Sequence, residues 1–206
     1  MSDSPRLPWE VIERIISSSS EDRETLHSFS LTCKQLRPRS LCLMFANVVF
    51  RFEEGADILA FRDFLDVSPP LRPLVRSIGT NHHAHLAFHL LRLLPNLTQM
   101  SITGDSVDSS RRLAWSLSQP VLACYRALGT RIETLHLVRL SFPNLQEFCR
   151  MLLAFTSIKT LSCQWLKLHS TSCTSTQRAQ IKQSLSQQLH LSMLEVKAVL
   201  HFLMCS

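Results

Sequence analysis

The chain has only four glycines, Gly55, Gly79, Gly104 and Gly129, each isolated from the others. Phosphate-cradling loops and nucleophile elbows need clustered glycines, because only a residue without Cβ lets the backbone close on a reacting group. Neither device can be built here. Seven cysteines stand at 33, 42, 124, 149, 163, 173 and 205, and no two have C-x-x-C spacing. A zinc ribbon or a dithiol redox motif is therefore not indicated. Most of them lie in apolar stretches, where a reduced cysteine behaves as a small hydrophobe, so a reducing compartment, cytoplasmic or nuclear, is expected. No apolar run approaches the roughly 18 residues that a membrane helix needs. The opening residues Met1 to Arg6 lack the apolar segment of a secretory signal. No membrane partner is expected.

Concentrated charge is also missing. The net charge of +6 is spread along the chain: residues 1–50 carry six Lys/Arg against six Asp/Glu, residues 51–168 thirteen against nine, and residues 169–206 three against one. The densest basic pairs, Arg37/Arg39 and Arg111-Arg112, form no stripe interleaved with aromatics, so a solvated surface is expected and no nucleic-acid partner. His82-His83-x-His85-x-x-x-His89 is the best metal candidate, since 85 and 89 fall one helical turn apart. It has no nearby cysteine or carboxylate to complete a tetrahedral site, so no metal and no cofactor are expected. Nothing in the chain has the pattern of a catalytic group.

What is present is apolar periodicity. With 206 residues and 45% hydrophobic content, the chain has room for a small module and a larger domain. Leu7-Pro8-Trp9-Glu10 precedes Val11, Ile12, Ile15 and Ile16, which share a broad helical face. Pro8 suits the first helical position, and Glu10 complements the helix N-terminus. The run Ser17 to Ser20 is expected to end this helix, with Ser18-x-x-Glu21 as a capping box for the next. Leu26, Phe29, Cys33 and Leu36 line one face of a second helix, which Pro38 is expected to stop at Arg37. A short third helix, Leu41 to Phe45, follows.

The order and distance of these two segments resemble an F-box, the small helical module that docks a protein onto the Skp adaptor of a cullin-RING ubiquitin ligase. Leu7, Pro8, Glu10, Val11, Ile12, Ile15 and Ile16 match its first half. Leu26, Ser30, Leu31, Cys33 and Lys34 match its second, with Thr32 for the usual valine and Leu36 where the family often has tryptophan. The resemblance covers about 40 of the 206 residues. It implies a module over 5–49 whose adaptor-binding residues are Leu7, Pro8, Ile12, Ile15, Leu26, Leu31, Cys33 and Leu36.

Beyond the module the pattern changes. Leu97-x-x-Met100-x-Ile102, Ile132-x-x-Leu135-x-Leu137 and Ile158-x-x-Leu161-x-Cys163 fit the L-x-x-L-x-L template of leucine-rich repeats, and Val75-x-x-Ile78-x-Thr80 is a poorer match. In that template the alternating side chains of a short strand point into a shared core. Segments His85 to Leu94, Leu113 to Leu128 and Leu145 to Phe155 read as helices; in the last, Leu145, Phe148, Leu152 and Phe155 lie on one face. Strand alternating with helix predicts an α/β region over 70–168, a short irregular solenoid with a parallel sheet backed by helices. Together with Leu94-Pro95-Asn96-Leu97, these strands resemble the divergent leucine-rich-like region of F-box proteins of mushroom-forming fungi. Residues 169–206 read as a polar linker, Ser170 to Gln177, then an amphipathic helix carrying Ile181, Leu185 and Leu189. The apolar end, Val199 to Cys205, does not continue the template.

The resemblance implies a non-catalytic specificity subunit, which binds the Skp adaptor through its N-terminal helices and an unknown protein substrate through its repeats. Such a receptor raises the effective concentration of substrate lysines near a charged conjugating enzyme, and other subunits do the chemistry. The rival expectation is a leucine-rich interaction scaffold whose N-terminal helices only cap the solenoid.

Overall fold

Pro8 has the extended backbone of an N-cap (φ −53°, ψ 144°), and α1 runs from Trp9 to Ser18. The proline thus stands one residue before the first helical position rather than in it, and its carbonyl accepts from the amides of Val11 at 3.1 Å and Ile12 at 3.3 Å. This is a computed structural model of the chain; it describes residues 7–50, 56–81, 90, 92–104, 119–170 and 175–201. The serine run does not end α1 at once. Ser17 and Ser18 donate their hydroxyls back to the carbonyls of Glu13 and Ile15, at 2.7 and 2.8 Å, and stay helical.

The next cap is Asp22, not Ser18. Its carboxylate accepts from the amides of Glu24 and Thr25, both at 3.1 Å, and from the Thr25 hydroxyl at 2.6 Å, and α2 spans Arg23–Thr32. An aspartate here satisfies two orphan amides and faces the positive end of the helix. The Thr25 hydroxyl and amide hold its carboxyl below the ordinary value. The second helix also ends earlier than expected, since Cys33 is extended (φ −153°, ψ 159°). Pro38 opens α3, Arg37–Ala46, rather than closing α2, because a proline in the first turn gives up only an amide with no helical partner.

Two arginines tie the helices together. Arg39 donates to the Ser17 hydroxyl at 2.9 Å, and Arg23 donates to the carbonyl of Asn47 at 2.9 Å. Asn47 begins β1 (Asn47–Val49), a strand absent from the sequence reading, which pairs in parallel with β2 (Ser77–Asn81). The helical module is thus joined to the sheet by strand pairing as well as by the chain. Between them lie α4 (Ala56–Val67) and a 3-10 helix, Pro69–Leu74. Phe45, Phe50 and Phe61 pack against this end of the core, and the exposed Phe64 stacks on Phe45 and Phe61 at centroid distances of 5.9 and 6.2 Å.

Further along come β3 (Gln99–Thr103), α5 (Gln119–Gly129), β4 (Thr134–Val138), β5 (Ser141–Asn144), α6 (Leu145–Leu152), β6 (Thr160–Ser170), α7 (Ser175–Gln188) and β7 (Met193–His201). Among the described residues seven strands pair in parallel, in the order β1-β2-β3-β4-β6-β5, with β7 on β6. The chain is mixed α/β with helices backing a parallel sheet. The expected strand anchors Ile78, Met100, Leu135 and Leu161 lie in one line, each opposite the next, and Val48 and Leu194, which the sequence reading did not include, extend that line at its two ends. Ile78 through Leu161 are buried with Leu122, Tyr125, Met151 and Phe155 in one core. Helix α5 covers the latter part of the expected Leu113–Leu128 helix and runs one residue further, to Gly129; the first part of that expectation falls outside the described residues, as does most of His85–Leu94.

One turn recurs at the entries of β3, β4, β6 and β7. Two successive amides donate to a single carbonyl of the preceding unit: Thr98 and Gln99 to Arg76, Glu133 and Thr134 to Thr98, Lys159 and Thr160 to Glu133, Ser192 and Met193 to Lys159, all between 2.8 and 3.1 Å. The last of these corrects the expectation for 169–206. Residues from Ser175 are helical rather than linker, and the segment after them is a strand of the sheet, with Leu191-x-x-Leu194-x-Val196 as a further copy of the template.

Beyond the template, β4 and β6 share a kink. Arg139 (φ 55°) and Trp165 (φ 58°) adopt left-handed backbone, costly for residues of this size, at equivalent places after the paired residues Val138 and Gln164. Each kink adds one residue to the alternation. Leu140 and Phe142, and likewise Leu166, thereby return to the core after Leu137 and Cys163. Bonds across the kinks, Arg139 amide to Gln164 carbonyl at 2.8 Å and Lys167 amide to Leu140 carbonyl at 2.9 Å, hold the two in register.

Candidate functional site

The eight residues that the resemblance assigns to the adaptor surface divide into groups. Leu7 (60% exposed), Ile15 (46%) and Leu31 (73%) are apolar and open to solvent, and Pro8 and Cys33 are exposed beside them in sequence. Ile12 and Leu36 are half-buried. Leu26 is the correction: it is fully buried, so it fills the core of the helices and cannot face a partner. Helical spacing alone could not separate it from Leu31, because burial on a short helix depends on which side its neighbours pack.

Sequence reasoning passed over Trp9 and Val11, which are also exposed. Pro8, Val11 and Ile15 fall at i, i+3 and i+7 along α1, on one side, while Ile16 turns inward. A helix that fills a core with one stripe and still shows large apolar side chains on another carries a surface suited to a partner. The signal was available: Val11, Ile12, Ile15 and Ile16 cover more of the helix than a single core-facing stripe requires.

The face of the sheet turned away from the core forms a second surface. It presents rows of polar side chains, Ser77, Gln99, Thr134 and Thr160 in one register and Ser101, His136 and Glu195 in another, with Ser162 buried between the last two. Ser162 donates to Glu195 at 3.2 Å, and Glu195 pairs with Lys197 at 2.7 Å. That lysine, with the Ser162 hydroxyl adding to it, holds the Glu195 carboxyl below its ordinary value. At the rim the two kinks present Arg139 and a half-exposed Trp165 side by side on adjacent strands. Tryptophan and arginine are the residue types that most often anchor protein interfaces. The face offers hydrogen-bonding groups and no reactive constellation.

Among the described residues no group of three or more His, Cys, Asp or Glu could hold a metal ion. His82, His83, His85 and His89 lie outside the described residues. Burial pushes the Cys163 thiol up to about 11, which makes it a core side chain and a poor nucleophile. Among the described residues no helix is long and apolar enough to cross a membrane. No protein-family model matches the chain, and neither a curated protein nor a solved structure does.

Proposed function

We propose that this chain is the substrate-receptor subunit of a Skp-cullin-F-box ubiquitin ligase. In this reading α1 to α3 are the F-box, the parallel sheet and its helices are a divergent leucine-rich-repeat region, and other subunits carry the chemistry. One observation carries the proposal. The exposed apolar residues Leu7, Ile15 and Leu31 stand at positions of the F-box pattern and are not used by the protein's own core. Side chains of that size left in water are compatible with a partner that removes them from it. The polar sheet face, with Trp165 and Arg139 at its rim, is the surface offered to a protein substrate. The test is co-purification of the full chain with a purified Skp adaptor, with and without Leu7→Ala combined with Pro8→Ala. Loss of capture in the double variant, with an unchanged thermal melt, supports the proposal.

A specific observation favours the rival scaffold reading. Helix α3 runs straight into β1, and Arg23 fastens α2 to the first residue of that strand, so the N-terminal helices also close one end of the sheet. A chain that caps itself this way and never binds the adaptor is an interaction scaffold. The same co-purification separates the two.

A further inference from the structure

The two ends of the sheet are finished differently. At β1 the core is covered by α3, α4 and their phenylalanines. At β7 it is open. Leu194 and Val196 occupy the inward positions opposite Leu161 and Cys163, both buried, yet they are 59% and 52% exposed. Behind them, between the sheet and α6 and α7, lies an apolar cavity of about 520 Å³ whose walls include Phe148, Leu152, Leu168, Leu185 and Leu189. Among the described residues β6 is the only strand beside β7, so the other backbone edge of this nine-residue strand meets no strand. A long, apolar, unpaired edge is a template for another strand.

The charges of β7 point to which strand. Glu195 and Lys197 flank Val196 and lie on the same face of the strand. A two-fold axis perpendicular to the sheet makes the β7 strands of two copies antiparallel. If the axis passes through Val196, Glu195 of each copy stands directly opposite Lys197 of the other, twice over, and the two Val196 side chains adjoin. No charge in β7 is then left facing its like. We propose that the β7 end is a homodimer interface, in which two copies pair β7 antiparallel about Val196 and join their open cores into one. This does not rest on the ubiquitin-ligase reading, because it concerns the end of the sheet farthest from the N-terminal helices.

The experiment is light scattering on the full chain after size exclusion, over a dilution series reaching about 100 μM, above the micromolar range of weak associations. The expected result is a monomer–dimer equilibrium with no larger species, because a two-fold contact closes on itself. Glu195→Lys places lysines opposite one another and should raise the dimer dissociation constant by about tenfold or more. Adding Lys197→Glu exchanges the two charges and should restore most of the affinity. Val196→Asp should leave a monomer, and a cooperative melt at any concentration shows that the loss is of pairing and not of folding. A wild-type monomer throughout the series, which would leave the edge to a foreign strand or an apolar ligand, overturns the proposal. So does open-ended growth, or a charge swap that dissociates no less than Glu195→Lys alone.

Discussion

At the scale of single residues, close backbone approach and burial decide which positions tolerate change. Gly129 ends α5, and a Cβ there would run into the backbone carbonyl of Ala154. The Gly129 carbonyl also accepts from the Ser157 amide, so the two segments cannot easily move apart. Gly129→Ala is expected to cost about 1–3 kcal/mol through overpacking, read as a lower denaturation midpoint at unchanged slope. Cys163 makes a second prediction. Its thiol is raised from the ordinary 9.0 to about 11, so the folded state favours the protonated form more than the unfolded state does. That contribution is fully present below pH 9 and is lost as pH rises toward 11. Stability should fall across this window, and Cys163→Ala should remove part of the fall while lowering stability at neutral pH. In native protein at pH 8, exposed Cys33 should alkylate well before Cys163.

At the scale of elements, caps explain where sequence reasoning succeeded and where it slipped. Asn144 accepts from the Glu147 amide at 2.9 Å and caps α6, whose first residue is Leu145, as apolar spacing predicts. Asn144→Ala should cost about 1 kcal/mol, measured by chemical denaturation. The anchors Met100, Leu135 and Leu161 were legible because the template alternates core-facing side chains over a strand too short to be anything else. Three features were not. Asp22 lost to Ser18 as the expected cap because both types cap well and only the extent of α1 decides between them. Strand β1 was hidden because Val48 follows a helix within two residues. Strand β7 was hidden because the apolar run from Val199 is the stronger signal, while Leu191, Leu194 and Val196 carry the template just before it. Of the candidate docking residues, Leu7, Ile15 and Leu31 are exposed as expected. Leu26 shows the limit of pattern: the same spacing serves a core and an interface.

Across the whole molecule, the line of anchors from Val48 to Leu161 makes neighbouring strands depend on one another. Each anchor packs against the strand on either side, so a cavity in one unit loosens the next. Leu135→Ala is expected to cost about 2–5 kcal/mol. Hydrogen exchange on that variant should show lost protection in both β4 and β6. Full protection in β6 with loss confined to β4 would mean independent units rather than a shared core.

The functional account depends on what the exposed face of α1 and α2 meets. Burying one of its leucines or isoleucines contributes about 1.5–3 kcal/mol before the cost of association, so several together are enough to decide whether a complex forms. The most direct measurement is binding of the full chain to a purified Skp adaptor by titration calorimetry. The account predicts an equimolar complex with a negative heat-capacity change from apolar burial. It predicts affinity weakened by about tenfold or more in the Leu7→Ala, Pro8→Ala double variant, whose melt stays that of the wild type. Absence of binding, or undiminished binding by the double variant, would contradict it and leave the N-terminal helices as the cap of an interaction scaffold.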